Sequence, residues 1–560
     1  MKLSGAQALW ECLVREGVDT VFGISGGAVI RLYHELPDYS IRHILMRHEQ
    51  AAAHAADGYA RATGKVGVCV GTSGPGATNL ITGIATAMMD SSPLVAITGQ
   101  VSSPYLGTDA FQEVDITGAT VPIVKHNYLV TDVGELPATM RSAFHIARTG
   151  RPGPVLVDIT KDAQMAEAEF CYPESVDLPG YRPHEESGFE HLEEAARLLN
   201  EARCPVVIAG RGTIVSGAHQ ELRELVERGN IPVVTTLLGI GAIPETHRAC
   251  LRMAGMHGTV PANRALQQSD AILAIGMRFD DRFTGALGTF APRATVIHVD
   301  IDAAEIGKNV KVDLPIRGDA REVLRRLVPS IASKERADWW AEIEEWREDT
   351  AKNDILSRES TQLLPQRVIR AIWEATGGEA LMVSDVGQNQ MWEAQYYLHS
   401  QTCGLISSGG LGTMGFGLPA GIGAAIGRPG ETTWVVVGDG GFQMTMQELA
   451  VVVQEGIPLK IALLNNGFLG MVRQWQEVFF ERRYSGTKLV NPDFVALAEA
   501  YGIPGLPVAT EAELAPAIEK AVGIEGPVLL EFRVEEEQNV YPMVAPGAAL
   551  DQMIRRPGQG

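Results

Sequence analysis

The sequence predicts an α/β protein built of three doubly wound parallel-sheet domains, and three observations carry that reading. Short apolar runs alternate with helical patterns along almost the whole chain, as expected of parallel sheets with helices on both faces. The alternation stops at Tyr172 to Gly188, a stretch rich in Pro, Glu and Asp without an apolar period, which reads as a linker. It stops again at a charged helical run from Lys334 to Asn353. The implied domains are residues 1–175, 189–335 and 360–545.

Composition agrees. A chain of 560 residues with 45% hydrophobic content has room for roughly three or four domains with large buried cores. Lys and Arg total 47 against 68 acidic residues, a net charge of −21, which argues against a nucleic-acid or anionic-membrane surface. The cysteines (Cys12, Cys69, Cys171, Cys204, Cys250, Cys403) are scattered with no Cys-x-x-Cys spacing; buried thiols in a reducing compartment suit them better than a disulfide framework. No targeting peptide and no apolar run of about 18 residues is visible, so a cytoplasmic protein is expected.

In the first domain Thr20-Val-Phe-Gly, Val66-Gly-Val-Cys-Val-Gly and Leu94-Val-Ala-Ile-Thr-Gly read as strands. Arg47-His-Glu-Gln opens a helix, and an acid in a first turn is stabilised by the helix dipole whatever its function. His48 and His54 are six apart and miss the i, i+4 spacing of a helical zinc site. Gly71-Thr-Ser-Gly-Pro-Gly-Ala-Thr-Asn79 follows a strand; it suits a ligand cradle or a plain tight turn. Ala110 to Asp115 says nothing alone.

The second domain has strands at Pro205–Gly210, Ile231–Thr236, Ala271–Gly276 and Thr295–Asp300. Gly210-Arg-Gly-Thr lacks the third glycine of a dinucleotide fingerprint. Arg278-Phe-Asp-Asp-Arg stands at a strand's carboxyl end, where ligand contact and a surface ion-pair cluster are equally open. Trp339, Trp340 and Trp346 mark the packed face of an otherwise solvated helix bridging to the third domain.

The third domain is organised around Val435 to Met471, a strand, a helix from Phe442 to Glu455, and a second strand. Asp439 and Asn466 fall at the two strands' carboxyl ends, where ligands bind in open parallel sheets. A carboxylate and an amide oxygen suit Mg²⁺, and Gly438, Gly440 and Gly441 allow a diphosphate close to the backbone. Gly-Asp-Gly alone favours a simple turn. Gly410-Leu-Gly-Thr-Met-Gly415 matches a dinucleotide pattern by letters only, since a helix of small residues suited to close packing follows at Phe416–Gly427; an NAD site is rejected there.

Gly438-Asp-Gly followed by Asn465-Asn466 resembles the signature of thiamine-diphosphate enzymes. Further matches are Arg47-His-Glu-Gln, Gly71–Asn79, Gly107–Glu113, Gly255-Met-His-Gly-Thr, Arg278–Arg282, Ser408–Pro419, Gly470-Met-Val-Arg-Gln-Trp-Gln and Tyr541-Pro-Met-Val-Ala-Pro-Gly. With them, nearly the whole chain resembles the catalytic large subunits of the acetohydroxyacid synthase (acetolactate synthase) family.

The resemblance implies domains of the thiamine-diphosphate enzyme type: one for the pyrimidine, a central one for FAD, one for diphosphate and Mg²⁺. It implies active sites between two subunits, hence a homodimer at least, with a tetramer and a small regulatory subunit left open. Glu49 would hydrogen-bond the pyrimidine nitrogen and drive proton removal, with Gly27, Phe111 and Gln112 lining the reacting centre. Cofactor contacts would include Asn79, Gln388, Asn389, Met414, Gly440, Gly441 and Met471, with Met414 propping the bent cofactor. Mg²⁺ would take Asp439, Asn466 and the Phe468 carbonyl. FAD falls on Arg151, Gly210, Met256, His257, Gly258, Thr259, Arg278, Asp280, Arg282, Asp300, Ile301 and Asp319. Substrate contacts would be Arg278, for a carboxylate, and Trp475, for the choice of second 2-ketoacid.

The implied reaction decarboxylates pyruvate and joins the remaining two carbons to pyruvate or 2-ketobutyrate, giving 2-acetolactate or 2-aceto-2-hydroxybutyrate for branched-chain amino acids. FAD would have no net redox role. Two departures stand out: Ile24-Ser25 where the family usually has Tyr-Pro, and Asn389 where it usually has His. Altered cofactor affinity is expected from them. A pyruvate-oxidase-like flavoenzyme is the alternative, separable by oxygen consumption; an FAD-free acetolactate synthase is separable by the absence of yellow colour.

Overall fold

The computed structural model describes residues 1–183, 187–402 and 404–556; Cys403 and part of the expected linker lie outside them. Three six-stranded sheets form the frame, each parallel throughout. The first runs Arg42–Leu45, Thr20–Gly23, Gly67–Gly71, Leu94–Gln100, Pro154–Thr160, His126–Val130 across its width. The third runs Leu405–Ser407, Leu381–Ser384, Thr433–Gly438, Leu459–Asn465, Val528–Arg533, Gly505–Val508. Numbered in chain order within each sheet, both read 2-1-3-4-6-5. The central sheet reads 3-2-1-4-5-6, from Cys250–Met253 at one edge to Leu314–Arg317 at the other, the doubly wound order that opens a crevice between strands 1 and 4.

The inner strands form because the runs are rich in Val, Ile, Leu and Ala bounded by Gly, Asn or Pro, and they are buried on both faces as parallel sheets demand, while the edge strands Arg42–Leu45, His126–Val130 and Gly505–Val508 are partly exposed. The first and third domains share one core, in which Phe22, Ile44, Leu418, Val435 and Leu463 belong to the same cluster. Its centre is the pairing of helix Glu49–Thr63 with helix Gly417–Gly427. Each follows the second strand of its sheet. Their backbones touch: a Cβ on Gly423 would lie 1.8 Å from the Ala55 carbonyl oxygen, and one on Gly58 2.1 Å from that of Ala420. Only glycine permits such an approach.

The tryptophan helix runs Ala337–Lys352, with Trp339, Trp340, Ile343 and Trp346 buried in the central core. The helix expected over Phe442–Glu455 differs. It begins three residues earlier, as Asp439–Thr445, passes through a 3₁₀ turn at Met446–Glu448 and resumes as Leu449–Gln454. Gly438 to Gly441 thus enter a helix at once instead of turning, with Asp439 in the first turn, where backbone N–H groups have no intrahelical acceptor.

Candidate active site

The first cluster gathers around Glu49, the first residue of its helix, where His48 is the N-cap and its ring nitrogen accepts the Gln50 N–H. Asn79 Nδ2 donates to Glu49 Oε2 at 2.9 Å. The loop after strand Gly67–Gly71 lies between Glu49 and Gln112: a Cβ on Gly76 would come within 3.4 Å of Glu49 Oε1, and one on Gly74 within 3.0 Å of Gln112. Gln112 holds a left-handed backbone at φ 60°. Phe111 beside it is 87% exposed, and space beside the Gly27 Cα is open.

The second cluster joins the ends of two neighbouring strands. Pairing of Gly438 with Leu464 sets Asp439 beside the Asn465–Asn466 turn. Asp439 Oδ2 accepts the Gly467 N–H at 2.8 Å and the Asn491 amide at 2.6 Å, while Oδ1 accepts the Gly440 N–H at 3.0 Å. These partners are uncharged, and burial pushes the carboxyl up to about 6. A divalent cation there would reverse that effect, so the donor set fits a metal. Asn466 Oδ1 accepts the Phe468 N–H at 3.1 Å, and its amide donates to Gln388 Oε1 at 3.3 Å. A Cβ on Gly440 would meet Leu469 at 2.7 Å and Met414 Cε at 3.4 Å, and one on Gly441 would meet Asp385 Oδ1 at 2.5 Å. The Asn389 amide turns inward, its nitrogen donating to the Asp385 and Val436 carbonyls at 2.8 and 3.3 Å; its side-chain oxygen lies against Gly387 and Gly438.

The third group lines a cavity of about 1850 Å³ at the crevice of the central sheet. A Cβ on Gly276 would lie 2.5 Å from the Gly212 Cα, so the two strand-end loops meet as a dinucleotide site at this switch point requires. Arg151, Met256, His257, Arg278, Asp280, Arg282, Asp300, Ile301 and Asp319 line the cavity, and so do Met471 and Trp475 from the third domain. Gly210, Gly258 and Thr259 are not among the residues that line it. Gly210 packs on the Gly276 carbonyl, Gly258 on the Ala254 backbone, and Thr259 caps helix Val260–Gln268. Burial pushes Asp300 up to about 7 and His257 down to about 4. The volume and the strand order fit FAD.

Sequence reasoning passed over Arg211 and Asp90, and took Glu305 only as part of the stretch from Asp300 to Asp319. Arg211 and Glu305 line the same cavity, and Glu305 holds Arg151 at 2.7 Å. Buried Asp90 pairs with Arg61 at 2.8 Å and accepts the Gly409 and Gly410 N–H groups at 3.1 and 2.6 Å, fixing the glycine loop that borders the cavity. Among the described residues Glu49, Asn79, Phe111 and Gln112 do not line it.

Comparison with known proteins places these groups in context. Family models described as the N-terminal TPP binding domain, the central domain and the C-terminal TPP binding domain of thiamine pyrophosphate enzymes match residues 3–119, 192–327 and 385–532. The chain is 50% identical to the acetolactate synthase large subunit of Corynebacterium glutamicum, over 98% of this chain and 89% of that one. It is 50% identical to an acetolactate synthase of Mycobacterium bovis, over 99% and 91%. It is 46% identical to the acetolactate synthase isozyme 3 large subunit of Escherichia coli, over 98% of each.

Proposed function

Because the chain belongs to the acetolactate synthase large subunits of the thiamine pyrophosphate enzyme family, we propose how its own residues divide the work of that reaction. Asp439, the Asn466 side-chain oxygen and the Phe468 carbonyl hold Mg²⁺, with Gly440 and Gly441 leaving room for the diphosphate. When bound, thiamine diphosphate supplies the electron sink for decarboxylation and carbon–carbon bond formation. Glu49, held by Asn79, hydrogen-bonds the pyrimidine nitrogen and moves the proton that activates the cofactor. Met414 fills the space next to Gly440 and would support the bound cofactor. Arg278 grips the second ketoacid's carboxylate through a two-pronged contact, and Trp475 walls its alkyl group. FAD would be held along the central crevice by residues that include Asp300, Asp319 and Arg151, which line it, with Arg151 supplying positive charge.

The observation that carries this reading is the 2.8 Å contact from Gly467 to Asp439. It ties the metal carboxylate to the turn from which helix Gly470–Phe479 projects Met471 and Trp475 into the cavity. The Glu49 cluster lies outside that cavity and ends in an exposed Phe111, which supports completion of the site by a second copy of the chain. A homodimer is therefore proposed, and a small subunit as partner follows from the relatives being named large subunits.

Incubation with pyruvate, thiamine diphosphate, Mg²⁺ and FAD, with product identification and an oxygen electrode, tests the reading. 2-Acetolactate without oxygen uptake is expected. Oxygen uptake in step with pyruvate loss would overturn it.

A further inference from the structure

A buried acid of the third domain reaches the approach to Glu49. Glu448 ends the 3₁₀ turn Met446–Glu448 and is fully buried. Its Oε2 accepts the backbone N–H of Arg47 at 3.1 Å, from 401 positions along the chain. The His48 N–H pulls on the same carboxyl. Its Oε1 is buried with no hydrogen-bond partner among the described residues. Arg47 and His48 are the two residues that deliver the chain into the Glu49 helix, so what holds their backbone sets where the Glu49 carboxylate starts.

Two more contacts strap the same loop to the same segment. The Arg47 guanidinium donates to Gln454 Oε1 at 2.8 Å, and Arg42 pairs with Glu455 at 2.9 Å. Both are exposed, where such contacts contribute little. The Glu448 carboxyl is fully buried and its contact with the Arg47 N–H is part-buried, so loss of that contact costs more. Burial pushes the Glu448 carboxyl up to about 7.

We infer that Glu448 is a positioning residue for Glu49, fixing the chain that enters the Glu49 helix through its buried side-chain oxygen. The inference rests on the reading of Glu49 as the proton-handling carboxylate. Glu448→Gln keeps an oxygen that can accept the Arg47 N–H, whereas Glu448→Ala does not.

Full-length wild type, Glu448→Ala, Glu448→Gln and Glu49→Gln are compared in two measurements. Without cofactor, amide hydrogen exchange at residues 46–50 is followed by mass spectrometry; Glu448→Ala should exchange about tenfold faster or more, and Glu448→Gln close to wild type. With thiamine diphosphate and Mg²⁺, exchange of the cofactor's C2 proton is followed by quenched-flow NMR. It should slow by about 10- to 100-fold in Glu448→Ala, the usual cost of a small misplacement, and recover largely in Glu448→Gln, while the KM for pyruvate shifts by less than about threefold. Wild-type amide exchange in Glu448→Ala, or equal losses in both variants, overturns the inference. If Glu49→Gln exchanges the C2 proton at the wild-type rate, the reading of Glu49 falls instead, and amide exchange still judges Glu448.

Discussion

The Arg282 guanidinium lies over the Trp475 indole, 5.5 Å from the ring centroid. Arg282 belongs to the central domain and Trp475 to the third, and both line the cavity with Arg278. A cation over an indole face contributes about 0.5–2 kcal/mol depending on solvent, so the two domains together fix this ring at the cavity wall.

Trp475→Leu should therefore erode preference for 2-ketobutyrate over pyruvate. One methylene in an apolar pocket is worth about 1–3 kcal/mol, or 10- to 200-fold. Arg278→Lys should slow both products alike, because either ketoacid presents the same carboxylate. Competition of the two ketoacids reads the product ratio; an unchanged ratio in folded Trp475→Leu places selection elsewhere.

Glu49→Gln should lower turnover by about 10²- to 10⁴-fold with the fold intact, the usual worth of a positioned acid or base. Steady-state rates beside circular dichroism provide the check. Near-normal turnover would remove Glu49 from the chemistry.

Asp439→Ala should abolish Mg²⁺-dependent binding of thiamine diphosphate, since the remaining amide and carbonyl oxygens bring no charge to the metal. Asn466→Ala should weaken it less. Isothermal calorimetry with and without Mg²⁺ decides, and unchanged affinity in the Asp439 variant would mean a misplaced site.

Gly423→Ala should destabilise the protein by about 1–3 kcal/mol, the common cost of overpacking, because its methyl would meet the Ala55 backbone at 1.8 Å. Differential scanning calorimetry measures the loss. A melting temperature equal to that of the wild type would show that the helices can part cheaply.

His54 and His257 are buried with pKa values pushed down from 6.5 to about 4. The unfolded chain then binds more protons than the native one in that interval, so stability is present above pH 6.5 and falls as pH drops towards 4. Urea titrations at pH 7 and pH 5 should show lower stability at pH 5, with a smaller difference in His54→Gln. An equal difference would mean that other groups dominate the acid response.

Much of this was legible in the sequence because burial on both faces writes strands as unbroken Val, Ile and Leu runs. Thr20–Gly23 and Ala271–Ile275 stand where those runs do. The helix start at Asp439 was not legible, since Gly and Asp favour turns locally and only packing beneath strand Thr433–Gly438 decides otherwise. Arg211 and Asp90 carried no local signal either. Their roles come from neighbours far along the chain, as Asp90 does from Gly410, 320 positions away. Asp439 and Asn466 were legible because neighbouring parallel strands end together, whereas the packing of Gly210 on the Gly276 carbonyl left no mark in its short motif.

Helices Glu49–Thr63 and Gly417–Gly427 hold equivalent places in two sheets of identical strand order, and they pack on each other. A contact between like elements is what a twofold homodimer makes; here one chain makes it with itself. In the proposed homodimer the two halves of a catalytic centre would be contributed by different copies. Co-expression of Glu49→Gln and Asp439→Ala chains should accordingly show intragenic complementation: a mixed dimer retains one site in which both carboxylates are intact, although neither parent has any.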